Sequence, residues 1–297
     1  MIMEEKKKKK KKRPVYFIPM LVAGVVLMLA LTGYLAWQYD HGKKEKDDTG
    51  PVNILVLGND LLVTNDVSDS LRQIFKASQS DREVLIESIA LPDPKYGIVN
   101  HLQSQSLASL LSKNNDWHFV VLQDSPEALL DTPYILLSSI RQLQDKIKGK
   151  KTRYVFVEPF VSNDDLVKQE VVSAVSRKLC KNLSLQIAPV GEIFYDVKNQ
   201  YPNTRIFADD NRLPSSNGSW LMAVTLYSTL TGKAPDANQA KIFYSYGTGK
   251  QNAVTFSRGE IALITAQLAK TVIERNLAFK LGLSGSDTQA RGVKLKP

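Results

Sequence analysis

Two residues at the end of the first predicted strand could carry chemistry. Residues 52–57 form an apolar run that reads as a buried strand, and Gly58 ends it, so that Asn59 and Asp60 follow directly. In an open α/β sheet, active residues lie at the carboxyl ends of strands. The residue two past such a glycine would be the nucleophile of a hydrolase. Here that residue is Asp60, whose carboxylate has no proton to give at neutral pH and is a poor acyl nucleophile.

Other polar side chains follow later predicted strands and could meet Asp60 at the same sheet end. If carboxylates converge there, they would raise one another's pKa or recruit a cation, with amide oxygens as further ligands. The alternative, which we prefer, is that the later aspartates only cap loops and turns. On this interpretation we predict no metal and no cofactor. The predicted binding pocket comprises Gly58, Asn59, Asp60, Gln123, Asp124, Asp209 and Asp210.

Strands and helices alternate through the chain, which predicts a mainly parallel sheet covered by helices on both faces. The predicted strands are residues 52–57, 83–90, 117–123, 153–158 and 185–190. Six helices are predicted. The first follows Asn65 and Asp66, and the next three cover residues 102–111, 133–147 and 163 to about 182. The fifth starts at Ser215 or Ser216 and ends at Gly232, and the sixth spans 257–279.

Several short stretches stand in a fixed order along the chain: GNDLL at residues 58–62, NDV at 65–67, WHFVVLQD at 117–124, DDNRLPS at 209–215, Gly218, and TGKAP at 231–235. Together these stretches resemble the SGNH (GDSL-type) hydrolase family, and more narrowly its branch with a GNS-(L/F)-T first block. The resemblance extends from residue 52 to residue 235, in the same order and spacing. It implies a flavodoxin-like three-layer α/β/α sandwich with a mainly parallel five-stranded sheet.

The departures from the family pattern concern its chemical residues. The nucleophilic serine of the family falls on Asp60, and its general-base histidine falls on Leu213. Asp210, which would orient that histidine, has nothing to orient. Acyl transfer needs a hydroxyl whose proton a base can take. We therefore expect no catalytic residue at Asp60, Asp210 or Leu213, and a pseudoenzyme that serves as a binding or scaffolding module.

Two alternatives to this inactive module remain open. One is an active esterase or deacetylase with a rearranged site, acting on envelope carbohydrate or acyl esters. The other is a sensor of metal ions or other cations. The chain has three histidines, of which only His101, at the start of a predicted helix, could lie near the site and act in catalysis; the alternative is a solvated or helix-start histidine. The single cysteine, Cys180, excludes an intrachain disulfide and is predicted to be a core residue.

Residues 15–37 contain no charged side chain and are long enough to span a bilayer as a helix, with tyrosine or tryptophan at both ends. We predict a retained signal anchor; the alternative is a cleaved signal peptide. The lysine run on the N-terminal side predicts that this end stays in the cytoplasm. The chain would then be a single-pass protein of the bacterial inner membrane, with its C-terminal domain periplasmic or extracellular.

The predicted organisation is a basic cytoplasmic tail (1–14), a transmembrane helix (15–37), a linker (38–50), the α/β domain (51–281) and a disordered tail (282–297). The formal charge of +9 comes mostly from the first 13 residues, where eight lysines and arginines stand against two glutamates. A nucleic-acid partner is therefore not expected, because the surplus is not on the fold. The expected partners are the lipid bilayer and an envelope protein or carbohydrate.

Overall fold

The computed structural model describes residues 50–78, 82–147 and 152–235, together with residues 268, 270–272 and 274. Strands and helices alternate through this part of the chain. The strands are β1 Val52–Gly58, β2 Val84–Ala90, β3 Phe119–Gln123, β4 Arg153–Val157 and β5 Gln186–Ala188. The helices are α1 Asp60–Val63, α2 Val67–Ala77, α3 Ile98–Gln103, α4 Gln105–Lys113, α5 Pro126–Asp131, α6 Pro133–Lys146, α7 Gln169–Leu183, α8 Val190–Gln200 and α9 Ser216–Thr231, with a 3₁₀ helix at Asn163–Lys168 before α7.

The five strands form one sheet of order β2-β1-β3-β4-β5, and all neighbouring strands are parallel. The predicted parallel five-stranded sheet is therefore confirmed. β1 is a central strand, and its apolar run is buried on both faces, as its β-branched composition indicates. The chain passes from β1 to β2 on one side and then crosses back to β3 on the other side of β1. Such a reversal of strand order opens a crevice outside the carboxyl ends of the strands.

Side chains of β1 alternate between two apolar layers, which places helices on both sides of the sheet. Ile54 and Val56 belong to a cluster with α2, α8 and α9, whereas Leu55 and Leu57 belong to a second cluster with α3 to α7. This alternation follows from the two-residue period of a strand. The arrangement is the predicted sandwich of helices, sheet and helices.

Helix α9 is buried along almost its whole length, unlike an amphipathic surface helix. Leu268 and Val272, which are helical and buried, belong to the same apolar cluster as α9. Both residues fall within the predicted helix 257–279, in which residues 270, 271 and 274 are also described and helical; its other residues lie outside the described part of the chain.

The structure corrects two of the predicted elements. The helix predicted at residues 102–111 is two helices, α3 and α4, because the Ser104 hydroxyl accepts a hydrogen bond from Leu107 N (3.1 Å) and starts a new helix. The predicted fifth strand extends to Val190, whereas the observed strand ends at Ala188. Pro189 has no N–H for a strand ladder, and α8 begins directly after it.

The predicted basic tail, transmembrane helix, linker up to residue 49 and tail 282–297 lie outside the described residues and stay predictions. In the part of the chain that the structure describes, no helix combines the length and apolar character that crossing a bilayer requires.

Candidate functional site

The turn after β1 is built by two amide side chains. Asn59 caps α1, since its Oδ1 accepts a hydrogen bond from Leu61 N (3.1 Å). Gln123, at the end of β3, accepts from Asn59 N through Oε1 (2.9 Å) and donates from Nε2 to the Asp124 carbonyl (2.8 Å). A Cβ on Gly58 would lie 2.7 Å from Gln123 Oε1. Glycine is therefore required there for β1 and β3 to share this contact.

Asp60 occupies the first turn of α1, and its carboxylate is held by Arg212. Arg212 Nη2 lies 2.5 Å from Asp60 Oδ2, and the Asp60 side chain is only 8% exposed while that of Arg212 is 44% exposed. The hydrogen bond to Asp60 raises the pKa of Arg212 above its usual value. Asp60 Oδ1 is buried and has no hydrogen-bond partner among the described residues. The charge of the carboxylate is thus balanced by Arg212, but only one of its two oxygens has a hydrogen-bond partner among the described residues.

The turn that carries Arg212 is fixed against the loop after β1. Asp210 Oδ1 accepts hydrogen bonds from Arg212 N (3.0 Å) and Leu213 N (2.9 Å), so its side chain caps the turn. Asn65 Nδ2 donates to the Pro214 carbonyl (3.1 Å). Leu213 is partly buried against the apolar cluster of α9. The structure thus brings the positions of the first and last matching blocks together, as the alignment of those blocks requires.

The remaining predicted pocket residues have structural partners of their own. Asp124 accepts from Ile98 N through Oδ2 and from Ser125 N through Oδ1, both at 2.8 Å. Burial raises its pKa, and the two backbone hydrogen bonds oppose that rise. Asp209 is exposed and forms an ion pair with Arg205 on the outer surface. Within the described ranges, no group of three or more His, Cys, Asp or Glu residues could hold a metal ion.

His101 is buried in α3 and contacts the backbone of the same turn. Its Nε2 lies 3.0 Å from the Gly58 carbonyl oxygen, which can only accept, so Nε2 carries the proton. The ring packs edge-on against Tyr96, with 4.7 Å between centroids. Burial lowers the pKa of His101 below its usual value, which keeps the ring neutral. The idea of a solvated histidine is wrong; His101 supports the backbone of the turn.

We predict that His101 makes stability depend on pH. Above its unfolded pKa of about 6.5 the ring is neutral in both states, and below it the unfolded chain binds a proton first. Stability is therefore lost as pH falls from about 6.5 toward the lowered folded pKa, by up to about 1.4 kcal/mol per pH unit. His101→Gln keeps a donor for Gly58 O and removes this loss.

Urea unfolding of the wild type and His101→Gln, at about pH 7.5 and about pH 5.5, measures the effect. Any loss of stability that the variant shows at the higher pH, relative to the wild type, should be smaller at the lower pH. A deficit that is the same at both values would show that His101 titrates alike in the folded and unfolded chain.

Arg212 is the site residue that the sequence analysis missed. A buried carboxylate needs a positive partner, and Arg212 is the single cation in the stretch DDNRLPS at residues 209–215. That signal could have found it. His118 accepts a hydrogen bond from Asn53 N (3.1 Å) at the amino end of β1, away from the site as predicted. Cys180 is buried in the core, and burial raises its pKa.

The sheet order and the helices on both faces define an α/β fold with the site at the carboxyl ends of β1 and β3. Its similarity to solved structures shows that this fold is SGNH hydrolase-like, and two of these structures illustrate the similarity. One is a candidate SGNH hydrolase from Slackia heliotrinireducens, with 21% identity and a TM-score of 0.50, covering 61% of this chain and 100% of that protein. The other is a DUF4886 family protein from Bacteroides uniformis, with 11% identity and a TM-score of 0.54, covering 80% and 98%.

These similarities concern the fold, because both identities are low. No protein-family model matches the chain. No curated protein matches it either. The predicted branch of the family and the replacement of its catalytic residues therefore stay predictions.

Proposed function

We propose that the chain is an SGNH hydrolase-like domain without hydrolase chemistry, which acts as a binding or scaffolding module in the cell envelope. The observation that carries the proposal is the ion pair of Asp60 with Arg212. Asp60 occupies the position at which the resemblance places the nucleophile, and Leu213 occupies the position of the general base. The fold is retained around these positions.

The contacts of the three residues argue against acyl transfer. One Asp60 oxygen is engaged by a guanidinium, which lowers its nucleophilicity, and the other oxygen is buried, so neither is exposed to attack a carbonyl. Leu213 cannot accept a proton. His101 uses the proton on Nε2 to bind the Gly58 carbonyl, so this nitrogen is not a base toward the pocket.

The proposed setting is the bacterial inner membrane. The helix predicted at residues 15–37 would anchor the chain in the lipid bilayer, with the basic tail in the cytoplasm and the domain on the other side. A module in this position would meet envelope proteins or carbohydrate, and these are the partner classes that we propose.

The proposal is tested with the purified full chain in detergent, assayed against p-nitrophenyl acetate and acetylated sugars. We expect no turnover above that of buffer with detergent. The matched control is Asp60→Ala in the same detergent. Turnover by the wild type that disappears in Asp60→Ala would overturn the proposal, since Asp60 would then take part in chemistry.

A further inference from the structure

We propose that the pocket at Asp60 is a binding site for a guanidinium group, that the Arg212 side chain occupies it in this structure, and that its ligand is an arginine side chain of a partner. The inference rests on the proposed function, because it assigns a ligand class to the same site. It starts from the incomplete hydrogen bonding of a buried carboxylate.

Arg212 satisfies only one of the two Asp60 oxygens. Carboxylates bind guanidinium groups best through two parallel hydrogen bonds, one to each oxygen. Arg212 supplies one, from Nη2 to Asp60 Oδ2, and Oδ1 stays buried without a partner among the described residues. A buried acceptor without a partner is costly.

The exposure of the two partners decides what can replace Arg212. Its side chain is 44% exposed, so it can return to water at little cost. Asp60 is 8% exposed, so its carboxylate cannot be left bare when Arg212 leaves. A group that displaces Arg212 must therefore itself be a cation.

The surroundings also favour a cation, and a planar one. Arg212 is surrounded by the negative charges of Asp60, Asp210 and Glu127. These charges make the binding of an anionic ligand beside Asp60 unfavourable. The described residues offer no group of carboxylates and histidines for a metal ion. An ammonium is a compact point charge, whereas a guanidinium matches the two oxygens of a carboxylate. A guanidinium that is free to align can satisfy the Asp60 oxygen that Arg212 leaves unpaired.

The first experiment is chemical rescue of the full chain in detergent. Arg212→Ala removes the guanidinium that binds Asp60. Methylguanidinium chloride at about 10 mM should then raise the thermal midpoint of the variant by about 2–4 °C relative to the same concentration of sodium chloride. The control Arg212→Ala/Asp60→Asn lacks the carboxylate and should show no such rise. Methylammonium chloride should give a smaller rise than methylguanidinium in Arg212→Ala. An equal rise in both variants, or a larger one with methylammonium, overturns the proposal.

The second experiment does not depend on the folding of the alanine variant. Arg212→Gln keeps a neutral donor for Asp60 Oδ2, and N-acetylarginine amide is titrated by calorimetry into this variant and into the wild type. We expect Arg212→Gln to bind about 10-fold more tightly, because the resident side chain no longer competes. Equal affinity, or binding that persists in Arg212→Gln/Asp60→Asn, overturns the proposal. Ester turnover by the wild type would overturn the proposed function, but it would leave both of these readouts unchanged.

Discussion

Arg212→Ala is expected to lower the free energy of unfolding by about 2–4 kcal/mol. The substitution leaves the buried Asp60 carboxylate without a positive partner. The expected loss lies at or below the roughly 3–5 kcal/mol typical of fully buried pairs, because Arg212 is partly exposed to water. Urea unfolding of the full chain in detergent, at neutral pH, measures the change.

A double-mutant cycle separates the ion pair from other effects of the substitution. Asp60→Asn removes the charge, so Arg212→Ala should cost less in that background by about 1–3 kcal/mol. The matched control is Arg205→Ala, because Arg205 pairs with the exposed Asp209 in the same segment and should contribute only about 0.5 kcal/mol. If Arg212→Ala costs the same in the wild type and in the Asp60→Asn variant, the two side chains are not coupled and the site is not as described.

Gly218→Ala is expected to destabilise the domain by about 3 kcal/mol. A Cβ at this position of α9 would lie 2.2 Å from the Ile206 carbonyl oxygen and 3.1 Å from Pro214 Cβ. The carbonyl cannot rotate away, since it also accepts a hydrogen bond from Ser215 N (2.9 Å). Relief of the clash would push α9 away from the turn that carries Arg212. Urea unfolding of the full chain measures this loss.

The control for Gly218→Ala is Ser216→Ala, in the same first turn of α9. Ser216 already has a Cβ, and alanine favours a helix, so this change should stay within about 0.5 kcal/mol of the wild type. A loss of the same size in both variants would point to the helix itself as the cause. Wild-type stability in Gly218→Ala would show that the approach of α9 to the Ile206 carbonyl is looser than the structure has it.

Sequence patterns predicted the sheet well because its signals are local. The run in β1 is apolar at every position from 54 to 57, and only a strand buried on both faces needs that pattern. Gly58 is the last residue of β1, as expected, whereas the short helix α1 that Asn59 caps was not predicted. Helix α8 was not predicted, because Pro189 lies inside what reads as one apolar run. The run therefore does not reveal that Pro189 separates β5 from α8.

The site was harder to predict because its contacts join distant parts of the chain. Asp60 and Arg212 are 152 residues apart, and His101 and Gly58 are 43 residues apart. Periodicity describes neighbours within an element and carries no information on such pairs. The matching blocks placed Asp60 and Leu213 close together, but the neutralising cation sits one residue earlier in the turn. Charge balance of the buried carboxylate, and not the blocks, was the signal for Arg212.

The attachment of Asn65 to Pro214 has a consequence for the order in which the chain acquires its parts during synthesis. All five strands have been made once Ala188 has left the ribosome, whereas the segment that carries Arg212 and Pro214 emerges more than 20 residues later. A nascent chain stalled between these points would possess all five described strands and Asp60, but it would lack Arg212 and the turn that holds it. The Asp60 carboxylate would therefore gain its positive partner only after the strand-forming segments have been made.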